Sequence, residues 1–170
     1  MRILGIDPGY AIVGYGVVDY QSSRFAPVEY GVITTEAGTD FEDRLEAIYD
    51  QLSVLIDRVQ PEAMAIEQLF FTTNQKTAIA VGQARGVLLL CAKKNNIPVF
   101  EYTPLQVKQS VVGYGKAVKT QVMDMTRRLL NLKEIPRPDD AADALAIAIC
   151  HGHTGSSRLT RDILKGRAYR

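Results

Sequence analysis

An α/β fold built on a mixed five-stranded sheet is what this sequence predicts, and three observations predict it. Three β-rich runs follow one another with only short turns between them, which makes them antiparallel neighbours. Stretches of helical periodicity then alternate with two short apolar runs, the pattern of crossovers onto parallel strands. The last helical stretch, "DDAADALAIAICH", is apolar on most sides and therefore belongs inside the core. With 170 residues, 46% of them hydrophobic, the chain has material for one well-formed core. One domain is expected over residues 1–153, followed by a basic, mobile tail over 154–170.

Each element has its own signal. "MRILGID" alternates apolar residues and stops at Pro8–Gly9, a strand ending in a tight turn. "YAIVGYGVVDY" alternates again, and "FAPVEYGVITT" follows a turn at Gln21–Arg24. Phe41, Leu45, Ile48, Leu52, Leu55, Ile56 and Val59 recur at helical spacing until Pro61 ends the helix. "AMAIEQL" is short and apolar throughout, as a central parallel strand is. A helix from about Asn74 to Lys94 leads to the strand "IPVFEY", and two further helical stretches flank "GYGKA". Within the 74–94 helix, Ala78, Gly82 and Gly86 recur every four residues. Close packing on the sheet is the first reason for glycines there, and a subunit interface the second.

Charge is distributed unevenly although the net charge is only +1. Residues 1–67 carry 4 Arg against 12 Asp and Glu, whereas 93–133 carry 8 Lys and Arg against 2 acids. A basic face for a polyanion beside acidic regions is the expectation. No apolar run is long enough to span a membrane, and the opening residues do not read as a secretory signal. Cys91 and Cys150 sit in apolar helical patterns and read as small buried hydrophobes in a reducing compartment, so a cytoplasmic protein is expected. His151 and His153 read as helix-end charges that complement the dipole.

Acidic residues carry the chemistry. Asp7 ends the first strand and Glu67 ends "AMAIE"; parallel neighbours would bring both to the same sheet edge. "RPDDAAD" opens the last helix with three aspartates, and Pro138 then Asp139 is a helix-start signal. Either Asp139 or Asp140 can share a face with Asp143, because i,i+4 and i,i+3 are both neighbours. Carboxylates gathered without a cation among their own segments repel one another. A hard divalent cation such as Mg²⁺ resolves that repulsion, and a pair of such ions suits phosphodiester hydrolysis. A nucleotide-binding phosphotransferase, suggested by "GIDPGYA", and a non-catalytic binding module are the readings of other classes.

The segments "GIDPG", "GYG", "IEQLFF", "GQARGV", "FEYTPLQVKQSVVGYGKAVKTQV" and "DDAADALAIAICH" together resemble the RuvC family of Holliday junction resolvases, in order and without large gaps up to about residue 153. The resemblance implies an RNase H-like fold and a homodimer that nicks four-way DNA junctions symmetrically with Mg²⁺ or Mn²⁺, two ions per subunit. It also implies a short sequence preference and a RuvA–RuvB branch-migration complex as partner. It assigns the metal-binding acids to Asp7, Glu67, Asp140 and Asp143, leaving Asp139 as the cap. Phe70 holds the position of a residue that stacks on a base near the crossover, with Phe71 as second candidate. Lys108 and Lys119 match lysines linked to DNA contact and to the phosphate near the cut, and Lys116 lies in the same glycine-flanked loop.

Overall fold

The structure is a computed structural model that describes residues 1–69 and 75–155. Along the chain it forms β1 (Arg2–Asp7), β2 (Ile12–Gln21), β3 (Arg24–Thr34), α1 (Phe41–Val59), β4 (Ala63–Glu67), α2 (Gln75–Lys94), β5 (Val99–Tyr102), α3 (Pro104–Val112), α4 (Lys119–Leu129) and α5 (Asp139–Gly155). The order and type of every element agree with the sequence reading. Thr154 and Gly155 belong to α5, and residues 156–170 lie outside the described residues. The five strands form one sheet in the order β3-β2-β1-β4-β5. β1, β2 and β3 pair antiparallel, and β1, β4 and β5 pair parallel.

Local chemistry explains the pairing. Ser22 and Ser23 both take positive φ between Gln21 and Arg24, the backbone twist that suits a two-residue hairpin. α3 starts with a full capping box: the Thr103 hydroxyl accepts from the Gln106 N–H, and the Gln106 side chain accepts from the Thr103 N–H. Successive residues of β1 face opposite sides of the sheet. Leu4 and Ile6 join Met64, Ile66, Leu52, Ile56 and Leu88 in a core beneath α1 and α2. Ile3 joins Val18, Ala65, Leu145 and Ile149 in a second core beneath α5. Both cysteines are buried free thiols, one in each core.

α5 is buried from Ala144 through Gly152 because the sheet covers one side of it and α3 and α4 cover the other. Its seat on the sheet is made of glycine. Gly5 on β1 pairs with Gly16 on β2, and Asp7 pairs with Gly14. A Cβ on Gly5 would overlap the Ala144 carbonyl oxygen, and one on Gly14 would overlap that of Asp140. On Gly16 it would fall 2.7 Å from the Leu145 side chain. Three bare backbone positions therefore let the helix rest directly on the strands. The α2 glycines behave differently: added Cβ atoms at Gly82 and Gly86 would meet nothing within 4 Å among the described residues. The expected packing of these glycines against the sheet is thus corrected, because an added Cβ at either position has open space around it rather than a packed neighbour among the described residues.

Gly5→Ala and Gly14→Ala should each lower stability by about 1–3 kcal/mol, the usual cost of overfilling a packed core. Urea unfolding checks this. Midpoints equal to that of the parent chain would mean that α5 does not rest on the strand backbone.

Candidate nuclease site at the end of the central strands

Asp7 and Glu67 are the last residues of β1 and β4, which run parallel in the register Ile6↔Ile66. The sheet thus delivers both acids to one edge. Asp140 and Asp143 come from the first turns of α5, the stretch that lies over Gly14. Asp7, Glu67 and Asp143 line an open cleft of about 280 Å³ together with Lys108, Lys119 and an apolar floor that includes Val107, Val122 and Ala146. Asp140 stands beside it, close enough for its charge to act on Asp7.

The electrostatics follow from this crowding. Asp7 is pushed up to about 8, first by burial and then by the charges of Asp143, Glu67 and Asp140. Glu67 is also raised, by burial first and by Asp143 next, while Lys119 and Lys108 pull it back. The cations that line the cleft, Lys108 and Lys119, come from elements other than those that carry the acids. Lys119, the first residue of α4, places its Nζ 2.8 Å from Asp143 Oδ2. A cation in the first turn of a helix opposes the helix dipole, so its place is set by the acids it faces. The ion pair with Asp143 raises the Lys119 ammonium above its usual range.

Four carboxylates with no thiol or imidazole among them form a hard oxygen donor set, which fits Mg²⁺-type ions. Asp7 and Glu67 are driven toward protonation by burial first and by the neighbouring negative charges second, and a bound cation would relieve both. Among the described residues no three Asp, Glu, His or Cys side chains are drawn together as a closed ligand group. Asp143 is instead engaged by Lys119.

Of the remaining predicted residues, Lys108 lines the cleft, whereas Lys116 is exposed in the turn between α3 and α4. Phe70 and Phe71 lie outside the described residues. Two expectations are corrected. Asp139 is the first residue of α5, and its carboxylate contacts Arg137 and Lys119 rather than capping a first-turn N–H. His151 is buried against the Phe100 ring and bonded to the Tyr102 hydroxyl at 2.7 Å. Burial drives its pKa down to about 4, so it adds no charge to the helix end. The glycine seat under α5 escaped the sequence reading, although Gly14 and Gly16 at spacing two mark one strand face stripped of side chains.

The profile of the crossover junction endodeoxyribonuclease RuvC family matches residues 3–151. The chain belongs to this family. A RuvC from Ruminiclostridium cellulolyticum is 57% identical over 154 residues, covering 91% of this chain and 93% of that protein. A RuvC from Clostridioides difficile is 50% identical over 167 residues, covering 98% and 99%. Among solved structures, Thermus thermophilus RuvC in complex with a Holliday junction substrate superposes with a TM-score of 0.87 at 38% identity, covering 91% of this chain and 94% of that one. The yeast mitochondrial Holliday junction resolvase shares the fold, with a TM-score of 0.66 at 17% identity. The sheet and its flanking helices are an RNase H-like fold, as expected.

The raised acid has a measurable consequence in metal-free protein. The unfolded chain releases the Asp7 proton near the ordinary 3.8, and the folded chain releases it at about 8. Across that interval the folded state holds the extra proton, so its stability falls as pH rises. In EDTA, Asp7→Asn should therefore raise Tm by an amount that grows between about pH 4 and about pH 8, then levels off. Thermal unfolding across that range checks it, and a pH-independent difference would contradict it.

Proposed function

We propose that this chain resolves four-way DNA junctions by metal-assisted hydrolysis of one phosphodiester in each of two symmetry-related strands, leaving 5′-phosphate and 3′-hydroxyl ends. The observation that carries this reading is the cleft where Asp7, Glu67 and Asp143 meet, with Asp140 coupled to it and Lys108 and Lys119 at its wall. Asp7, which feels the charges of all three other acids, would be one of the ligands. Glu67, Asp140 and Asp143 complete the set. Held by these residues, two Mg²⁺ ions per subunit, or Mn²⁺ in their place, would supply water activation and charge stabilisation at the leaving 3′-oxygen. Lys119 holds positive charge where the scissile phosphate must lie, and Lys108 adds to it on the side of Glu67.

DNA contact extends beyond the acids. Lys116, exposed on the adjoining turn, suits a backbone phosphate. An aromatic within four residues of Glu67 suits stacking on a base freed at the crossover, a role assigned to Phe70 with Phe71 beside it. A junction with twofold symmetry calls for a twofold dimer with an isologous interface. α2 supports that reading: Ile79 and Leu90 are 65% and 54% exposed, and Gly82 and Gly86 between them leave room for close approach. The family resemblance extends the partners to a RuvA–RuvB branch-migration complex. No described helix is long and apolar enough to cross a membrane. The two free thiols support a reducing compartment, the cytoplasm.

A mobile four-way junction incubated with the protein and Mg²⁺ should be cut into nicked duplexes that ligase seals, and EDTA should stop the reaction. Asp7→Asn should bind the junction in a gel shift about as well as the parent chain while cutting is abolished; retained cutting would refute the metal role of Asp7. Preference for an RNA–DNA hybrid over the junction would move the protein to a different nuclease activity on the same fold.

Ile79→Glu combined with Leu90→Glu should convert the dimer to monomers in sedimentation equilibrium without loss of helical signal. Paired nicking should fall to uncoordinated single nicks. An unchanged dimer would remove α2 from the interface.

A further inference from the structure

Asp139 stands beside the proposed catalytic acids and is not one of the four proposed metal ligands. Its two oxygens face different cations. Oδ1 accepts a hydrogen bond from Arg137 Nη1 at 2.6 Å, and Oδ2 lies 3.6 Å from Lys119 Nζ. The same Nζ lies 2.8 Å from Asp143 Oδ2. Arg137, Asp139, Lys119 and Asp143 therefore form a run of contacts with alternating charge. An ammonium carries three N–H donors and can serve two carboxylates at once. Here one contact is at hydrogen-bond length and the other is a looser ion pair.

A divalent cation that takes Asp143 as a ligand must compete with this ammonium for the same carboxylate. An ammonium displaced with nowhere to go would stand beside a like charge. Asp139 offers it another carboxylate within reach, and Arg137 occupies Oδ1 so that Oδ2 stays on the Lys119 side.

We infer that Asp139 is the alternate partner of Lys119, a positioning residue that receives the ammonium when a divalent cation claims Asp143. The inference rests on the reading of Asp143 as a metal ligand. By holding Lys119 at the rim after the exchange, Asp139 also keeps that charge near the position of the scissile phosphate. Lys119 and Asp139 are 54% and 42% exposed, which keeps the effect modest. Exposed ion pairs of this kind change an equilibrium by roughly two- to fivefold.

The test is Mn²⁺ binding to the full chain without DNA, followed by the electron paramagnetic resonance signal of the free ion, with Mg²⁺ calorimetry alongside. It uses the parent chain, Asp139→Asn, Lys119→Met and the double variant. Asp139→Asn should weaken Mn²⁺ binding about two- to fivefold. Lys119→Met should strengthen it, because the competitor is gone. Added to Lys119→Met, Asp139→Asn should have little further effect, since no ammonium remains to be received. Asp139→Glu should restore most of the parent affinity. If Asp139→Asn weakens binding equally in both backgrounds, Asp139 acts only as a distant negative charge and the inference is overturned. If Asp139→Asn changes nothing in the parent background, it is overturned as well. Failure of the underlying reading looks different: Mn²⁺ binding that is insensitive to Asp7→Asn removes the metal site itself, and the role of Asp139 with it.

Discussion

The contact between the backbone of α5 and the bare backbone of β1 and β2 is the constraint on which the rest of this structure depends. Asp140 and Asp143 belong to a helix, whereas Asp7 and Glu67 belong to strands. Acids on such different elements share one cleft only if the helix axis comes closer to the sheet than ordinary side chains permit. Gly5, Gly14 and Gly16 remove the side chains at the points of contact, and Ala144 and Ala148 keep the helix side thin. The register that pairs Gly14 with Asp7 puts the barest spot of the sheet next to the first acid of the site. Packing here is therefore also the means by which the charges are assembled.

Assembling them has an electrostatic cost, visible in the upward shifts of Asp7 and Glu67. The protein offsets part of it with groups from outside the acidic segments. Lys119 enters from α4, and Lys108 acts on Glu67 from α3. The α5 N-terminus helps as well, because negative charge in the first turn suits the helix dipole. What remains is an excess of carboxylate in a partly desolvated cleft, the condition under which a hard cation and a phosphate oxygen bind together. The same arrangement that makes the metal-free site unfavourable makes it receptive.

Much of the fold was legible because each element carries its own period. The hairpin at Ser22 and Ser23, the Pro61 stop and the capping box at Thr103 are local signals, and the structure agrees with them. Readings that depended on what lies across from a residue fared less well. Gly82 and Gly86 look like packing glycines, yet no described residue packs against them, while Gly14 and Gly16 look like ordinary strand residues and form the seat of α5. His151 sits where a charge would suit a helix end, yet the rings of Phe100 and Tyr102 enclose it and burial keeps it neutral. Asp139 has the sequence position of a cap, yet Arg137 and Lys119 claim its oxygens.

The sequence by itself determined the order of strands and helices, the acids at strand and helix ends, and the family, because these depend on residues close together in the chain or on their pattern along it. Tertiary structure alone decided which faces the glycines serve, where Lys119 finds its carboxylates and which histidine loses its charge. Those outcomes depend on distance and burial between segments up to a hundred or more residues apart. Desolvation and Coulomb interaction are set by separation in space, and no pattern along the chain records it.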